Sequence, residues 1–426
     1  MEKLNYGTPH WIDFDPAHQR EARNAIASLA LPGSVDELGI GVFRDVLSNL
    51  LFPGMTVTMT RAVYLALLPS FMYQVEKELV KEARKSIGQT DLVSLYYKKI
   101  DKKQKEFCKN NKDKAGIIGN SKDGEIKRPP WNIYWNALCL MDLIPPVYRY
   151  GQPVLSQRTY VRQVCEEIDS GRDKKWLDEQ RWNGYSEIRN HKFTKPEIDL
   201  SETESVFIKN RINEKHKDSL LAKLIQPDSG LDGKKDFSEL EWNDAWGKGE
   251  VKEVWEEAVF FNTFMKTAFA GYNLLLNFTK KADNAFKETL AVLKTKYPNA
   301  DRGRSLLDKV FNRVFGYDKR KEYLQEWFKS CYQEPFNYSA LKWIVKEEFL
   351  CKGSNAKCQP LYEREKEIFS SGNVPEEIRN IIPQAESPEW VGMEELDYRC
   401  YQSTRLLHHL ITGNYEEEKG DDHAGE

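Results

Sequence analysis

Apolar residues recur at helical spacing along most of this chain, and few stretches alternate as strands do. Across 35–51, Ile40, Phe43, Leu47, Leu50 and Leu51 fall on one helical face. Asp36 and Glu37 stand at the end where the helix dipole favours negative charge. Pro53 removes a donor and Gly54 permits left-handed geometry, so the helix is predicted to stop there. Residues 59–83 predict a long helix kinked at Pro69. Residues 91–110 predict another, apolar first and lysine-rich later, and Pro129-Pro130 leads into an aromatic helix over 131–143. A short helix over 18–29 precedes them. Residues 112–128 carry turn residues around Ile117 and Ile118 and read as a loop or a small β-hairpin.

The second half continues in the same way after a polar, less periodic stretch. Ser201 followed by Glu204 is a capping-box pattern, opening a helix over 202–225. Residues 226–248 read as a surface excursion. The strongest helical signal is 251–280, where Phe260, Phe264, Thr267, Ala268, Gly271, Leu274 and Leu275 share a face. Its apolar content on nearly every side predicts a buried helix. Amphipathic helices are predicted over 282–297, 305–314, 319–331 and 338–349, then over 375–382 and 393–412. No repeat appears at solenoid periods. The fold class is therefore mainly α and multi-helix, with at most a small β-hairpin near 115–127. The expected organisation is an N-terminal helical domain over 1–150, a polar connector over 151–200, a C-terminal helical domain over 201–412 and a disordered acidic tail over 413–426.

Composition adds a setting. At 426 residues the chain is too long for one ordinary core. Its residues are 40% hydrophobic and 30% charged, and its mean hydropathy is −0.66, as in a protein with a heavily charged surface. Eleven tryptophans supply rigid buried area for a sizeable core. The net charge of −3 lacks the basic excess of a free-standing nucleic-acid binder, so any such contact must be local. The start, MEKLNYGTPHWIDFD, has no apolar run of signal-peptide length, and the apolar window 254–278 carries Glu256, Glu257 and Lys266. Seven scattered cysteines fit a reducing compartment. A cytoplasmic location and no membrane contact are expected.

Candidate chemistry is sparse. Residues 98–128 hold eleven Lys/Arg against five Asp/Glu, with Phe107 among them and Tyr96 and Tyr97 just before. Lys98, Lys99, Lys102, Lys103, Lys105, Lys109, Lys127 and Arg128 are the candidates for holding a nucleic-acid backbone without reading sequence. The plainer account is a solvated helix face. Arg44 and Arg61 lie in otherwise apolar patterns and need a carboxylate or phosphate; Asp36, Glu37 and Asp45 are the nearest internal partners. A helix-turn-helix reading, with residues 55–59 as turn and the helix from Thr60 as reader, conflicts with the apolar run from Ala62 to Leu68. Cys351 and Cys358 have six residues between them, wider than structural zinc spacing, with Cys331, Cys400, His408 and His409 elsewhere. Incidental free cysteines explain them more simply. Asp13, Asp15, Asp36, Glu37 and Asp45 form the early carboxylate cluster, without the strand ends from which Mg²⁺ ligands usually converge. No nucleophile elbow, Walker loop, dinucleotide fingerprint or His-Glu-x-x-His is present. No catalytic residue, metal or cofactor is therefore assigned.

Certain short motifs carry a likeness. WIDF stands at 11–14, DELGIG at 36–41, Arg44-Asp45 shortly after, LFPG at 51–54 and TRAVY at 60–64. GIIG at 116–119, IYW at 133–135, FIKNRI at 207–212, SLLAKL at 219–224 and AGYNLLL at 270–276 follow. In these the chain resembles, over about residues 10–280, an uncharacterised bacterial family of unknown function. Asp36, Glu37, Gly39, Arg44, Asp45, Arg61, Tyr134 and Trp135 are the motif residues expected to be structural. The resemblance implies a setting in phage-defence gene islands, beside helicases, methyltransferases or nucleases as partners. The resulting expectation is a non-enzymatic helical defence subunit that binds partner proteins and, non-specifically, nucleic acid. The alternative is a metal-dependent nuclease, or another enzyme of unrecognised type.

Overall fold

The computed structural model describes residues 41–56, 58–85, 91–111, 116–118, 128–191, 200–226, 229, 231, 237, 240–276, 280–314, 318–334, 336, 398 and 404. The chain forms two compact units. The larger comprises Phe43–Lys266, Asp301–Phe315 and Met393–Glu426; the smaller comprises Met1–Val42, Thr267–Ala300 and Gly316–Gly392. Among the described residues, the secondary structure is helical apart from one two-stranded antiparallel sheet. None of those helices is long and apolar enough to cross a membrane.

The helix Tyr64–Lys85 organises the larger unit, packing against Leu92–Asn110, Pro130–Leu140, Gln157–Asp169 and Ser186–Arg189. Its first turns are apolar all round and fully buried, as only a surrounded helix tolerates. Gly41–Leu51 precedes it and stops where Pro53-Gly54 predicts. Gly54 adopts φ +81°, and a Cβ there would lie 3.1 Å from the Ala137 Cα, so glycine serves both the turn and the close approach.

Among the described residues the hairpin is at Tyr148–Arg149 and Gln152–Pro153. Of residues 112–127, 116–118 form a turn, and 112–115 and 119–127 lie outside the described residues. Tyr150 and Gly151 close the hairpin with φ 53° and 76°, the two positive values that a two-residue turn matching strand twist requires.

The polar stretch after the hairpin contains helices of its own. It holds the helix Gln157–Asp169, capped by Ser156 and burying Tyr160, Val161, Val164, Cys165 and Ile168. The apolar period was there but thinned by charged neighbours. A π-helical turn, Leu177–Arg181, then carries Arg181 inward. The Glu76 carboxylate accepts from Arg181 Nε at 2.8 Å and Trp182 Nε1 at 2.7 Å, while Arg181 Nη2 donates to the Tyr160 hydroxyl at 2.6 Å. Burial alone would disfavour the guanidinium charge; Glu76 outweighs that and holds it protonated.

The Ser201–Glu204 capping box forms as its spacing predicts, opening Glu202–His216. The single helix expected over 202–225 is instead two, because Ser219 caps a new one at Leu220–Leu224. The excursion that follows sends apolar residues inward: Leu231, Phe237 and Leu240 are buried. Glu250–Leu276 is the long helix of the second half, and no residue from Val254 to Gly271 is exposed. In the larger unit Phe43 packs 5.7 Å from Phe261 and 5.5 Å from Phe311, ring to ring.

The smaller unit is described through the end of that helix, Lys280–Lys296 and Asp318–Cys331. Tyr332 donates its hydroxyl proton to the Tyr297 carbonyl at 2.7 Å, and Phe286 lies edge-on to Phe336. The helices predicted over 18–29, 338–349, 375–382 and 393–412 lie outside the described residues, Tyr398 and Thr404 apart.

Candidate nucleic-acid interface

Asp91 starts the lysine-rich helix Leu92–Asn110 by accepting from the Val93 and Ser94 amides at 3.1 and 3.2 Å. Those bonds, with the Ser94 hydroxyl first, hold its carboxyl below the usual range. Leu92, Tyr96, Ile100, Gln104 and Cys108, four residues apart, form the buried line.

That line sorts the lysines into two sets. Lys99 and Lys103 turn toward the neighbouring Tyr64–Lys85 helix. Lys99 Nζ lies 2.7 Å and Lys103 Nζ 3.2 Å from the Glu78 carboxylate, and Lys103 also donates to Gln74. Burial pushes the Glu78 carboxyl up, but these two lysines more than offset it. Lys98, Lys102, Lys105 and Lys109 are all exposed. Their spacing of four, three and four residues makes a single stripe about 16 Å long at 1.5 Å per residue. Glu106 lies 3.8 Å from Lys102 Nζ, and Asp101 interacts electrostatically with Lys105. The helix Gln157–Asp169 packs alongside and brings Arg158 and Arg162 close enough to act electrostatically on Tyr97. Arg128 is exposed, and Lys127 lies outside the described residues.

Behind this helix the motif residues meet. The Tyr134 hydroxyl accepts from the Thr60 and Arg61 amides, each at 2.9 Å, and donates to the Arg61 carbonyl at 2.7 Å. Thr60 Oγ1 donates to the Gly116 carbonyl at 2.6 Å, and the Ile118 amide to the Tyr64 hydroxyl at 3.0 Å. Tyr64 and Tyr134 rings lie 5.0 Å apart. Burial pushes the Tyr134 hydroxyl up to about 12, so it stays protonated. TRAVY, GIIG and IYW are thus one internal joint, and Trp135 extends it by donating to the Leu155 carbonyl at 2.6 Å.

Arg61 is buried within this joint. Arg44 pairs with Asp45 at 2.8 Å, the nearest of the carboxylates named for it, on an accessible face. Asp36, Glu37 and Gly39 lie outside the described residues, as do Cys351, Cys358, Cys400, His408 and His409. The helix-turn-helix reading fails on burial: Ala62 to Leu68 are at most 2% exposed, so that helix has no face to lay in a groove. Among the described residues, no three His, Cys, Asp or Glu side chains form a group suited to a metal. Burial pushes the Cys139 and Cys165 thiols up to about 12, away from the thiolate that metals bind.

Several polar clusters went unread in the sequence. Asp142, at φ 54°, accepts from Tyr185 at 3.0 Å and pairs with Arg211 and Lys215, each at 3.2 Å. His191 Nδ1 lies 2.6 Å from Glu204, the acid of the capping box. The partners are far apart in the chain, so no local spacing announces them.

A family model described as a family of unknown function, DUF6361, matches residues 6–302. No curated protein and no solved structure matches the chain.

Proposed function

We propose, for a chain that belongs to the family of unknown function DUF6361, that it is a non-enzymatic helical subunit that lays the Lys98, Lys102, Lys105 and Lys109 stripe along a nucleic-acid backbone. The observation that carries this is the sorting of the lysines. Two of the six on the helix are engaged by Glu78, and four reach solvent on one line with Arg158 and Arg162 on the adjoining helix. A lysine stripe contacts phosphates without reading base edges, so the binding is non-specific. The motif resemblance supplies the rest of the reading, a bacterial anti-phage defence system with helicase, methyltransferase or nuclease partners.

The test is a titration of labelled duplex and single strand at rising salt. Four lysines on phosphates give a slope of log affinity against log salt of about −3, from 0.7 to 0.9 per phosphate. Changing all four to glutamate should flatten that slope and weaken binding for every sequence alike. Persistent binding by the quadruple variant would place the contact elsewhere, and no wild-type binding at low salt would end the reading. Co-purification of the native protein with its operon neighbours tests the partner half.

A further inference from the structure

The hairpin ends in a conformation its sequence does not favour. A two-residue turn of this kind needs positive φ at both central positions, and Asn-Gly supplies that with least strain. Here the pair is Tyr150-Gly151, at φ 53° and 76°. A bulky aromatic residue in left-handed geometry is strained, and such strain persists where something other than stability keeps the residue. Asp142, the other described non-glycine residue with positive φ, has an internal reason, since Tyr185, Arg211 and Lys215 hold its carboxylate. Tyr150 has none of this kind. It is 92% exposed, and among the described residues its ring faces only Arg149, whose guanidinium carbon lies 5.4 Å from the ring centre. Tyr148, two positions earlier, is 62% exposed.

The sequence from the hairpin into the next helix carries three arginines, Arg149, Arg158 and Arg162, before its first acid, Glu166. The hairpin's base is also tied to the lysine helix through rings. Trp135 holds the Leu155 carbonyl, Trp131 lies 6.3 Å from Trp135, and Tyr97 lies 5.5 Å from Trp131. Exposed rings beside arginine, on a scaffold joined to a lysine stripe, match a polyanion whose π-faces are open. A single-stranded nucleic acid has these; a duplex hides its base faces in the stack.

We propose that the Tyr148–Tyr150 tip is a base-stacking element that gives this protein a preference for single-stranded nucleic acid. It rests on the backbone-binding reading above. The strand's phosphates lie along Lys98 to Lys109, and unstacked bases lie on the Tyr150 and Tyr148 rings, with Arg149 adding a cation–π contact.

The experiment measures binding of a labelled single strand of about twenty nucleotides and of the matching duplex. It compares wild type, Tyr148→Thr/Tyr150→Asn and the quadruple lysine variant. Asparagine suits the left-handed turn and threonine suits a strand, so the tip variant keeps the hairpin and should melt no lower than wild type. Wild type is expected to prefer the single strand. The tip variant should lose about tenfold to a hundredfold on it, with duplex affinity and salt slope unchanged. A tip variant that binds the single strand as wild type does, or a wild type without preference, overturns the stacking role. If the quadruple variant meanwhile loses both ligands, the backbone reading stands without it. Wild type binding neither ligand overturns both.

Discussion

Tyr134 shows how much one side chain can hold. Its hydroxyl accepts two backbone amides and donates to one carbonyl, all from Thr60 and Arg61. Tyr134→Phe keeps the ring contact with Tyr64 and leaves those backbone groups without their partner. The expected loss is roughly 1–3 kcal/mol in urea unfolding. Glu76 poses a sharper case. It is fully buried and neutralises Arg181, whose side chain is 5% exposed. Glu76→Gln strands that charge and should destabilise by roughly 3–5 kcal/mol. The double variant Glu76→Leu/Arg181→Met removes both charges and should recover much of the loss. A double variant as unstable as the single one would contradict this account.

At the scale of elements, two helices behave differently for a legible reason. Leu92–Asn110 has one buried line and leaves Lys98, Lys102, Lys105 and Lys109 exposed, so those four positions tolerate exchange. The charge reversal at Lys98, Lys102, Lys105 and Lys109 should therefore leave helical content by circular dichroism unchanged, so that any weakened binding is not a folding defect. Glu250–Leu276 has no exposed residue from Val254 to Gly271, and only Trp255, Glu256, Val259, Thr263, Lys266 and Phe269 are half-buried there. Gly271→Leu forces four carbons into a packed site and should cost about 1–3 kcal/mol through overpacking. A variant melting with wild type would show that the site has room.

At the scale of the molecule, the buried or half-buried His216, Glu204 and Glu78 act in one direction on acidification. The exposed Asp91 and Glu334, and also Asp173, join them, while Asp101, whose carboxyl burial raises, opposes them. Burial lowers the His216 imidazole below its ordinary 6.5, though its bond to the Leu140 carbonyl works the other way. The folded state therefore favours the neutral ring, and its contribution is lost as pH falls through and below that value. Burial raises the Glu204 carboxyl, but bonds from His191 and Ser201 more than offset it, and Glu78 behaves alike with Lys99 and Lys103. Carboxyls lowered on folding contribute stability above their unfolded value of 4.5 and lose it below. The melting temperature should thus decline gently from pH 7 to 5 and steeply from 4.5 downward. A melting temperature flat between pH 7 and 3.5 would rule out these linkages.

The sequence by itself determined what depends on near neighbours. The mainly helical class, the stop at Pro53-Gly54, the Ser201–Glu204 box and the buried character of Glu250–Leu276 follow from rules that span a few residues. A helix closes bonds over four positions, and caps act over three, so local spacing suffices. The lysine helix was legible for the same reason, but the split of its lysines between a neighbouring helix and solvent was not. Glu78, which engages Lys99 and Lys103, lies on another helix. Tertiary structure alone also decided that TRAVY, GIIG and IYW form one joint, and that Glu76 meets Arg181 across 105 residues. It placed the hairpin on Tyr150-Gly151, a turn that local preference ranks below asparagine-glycine. Such contacts are chosen by packing between distant segments, and no periodicity within either segment records its partner.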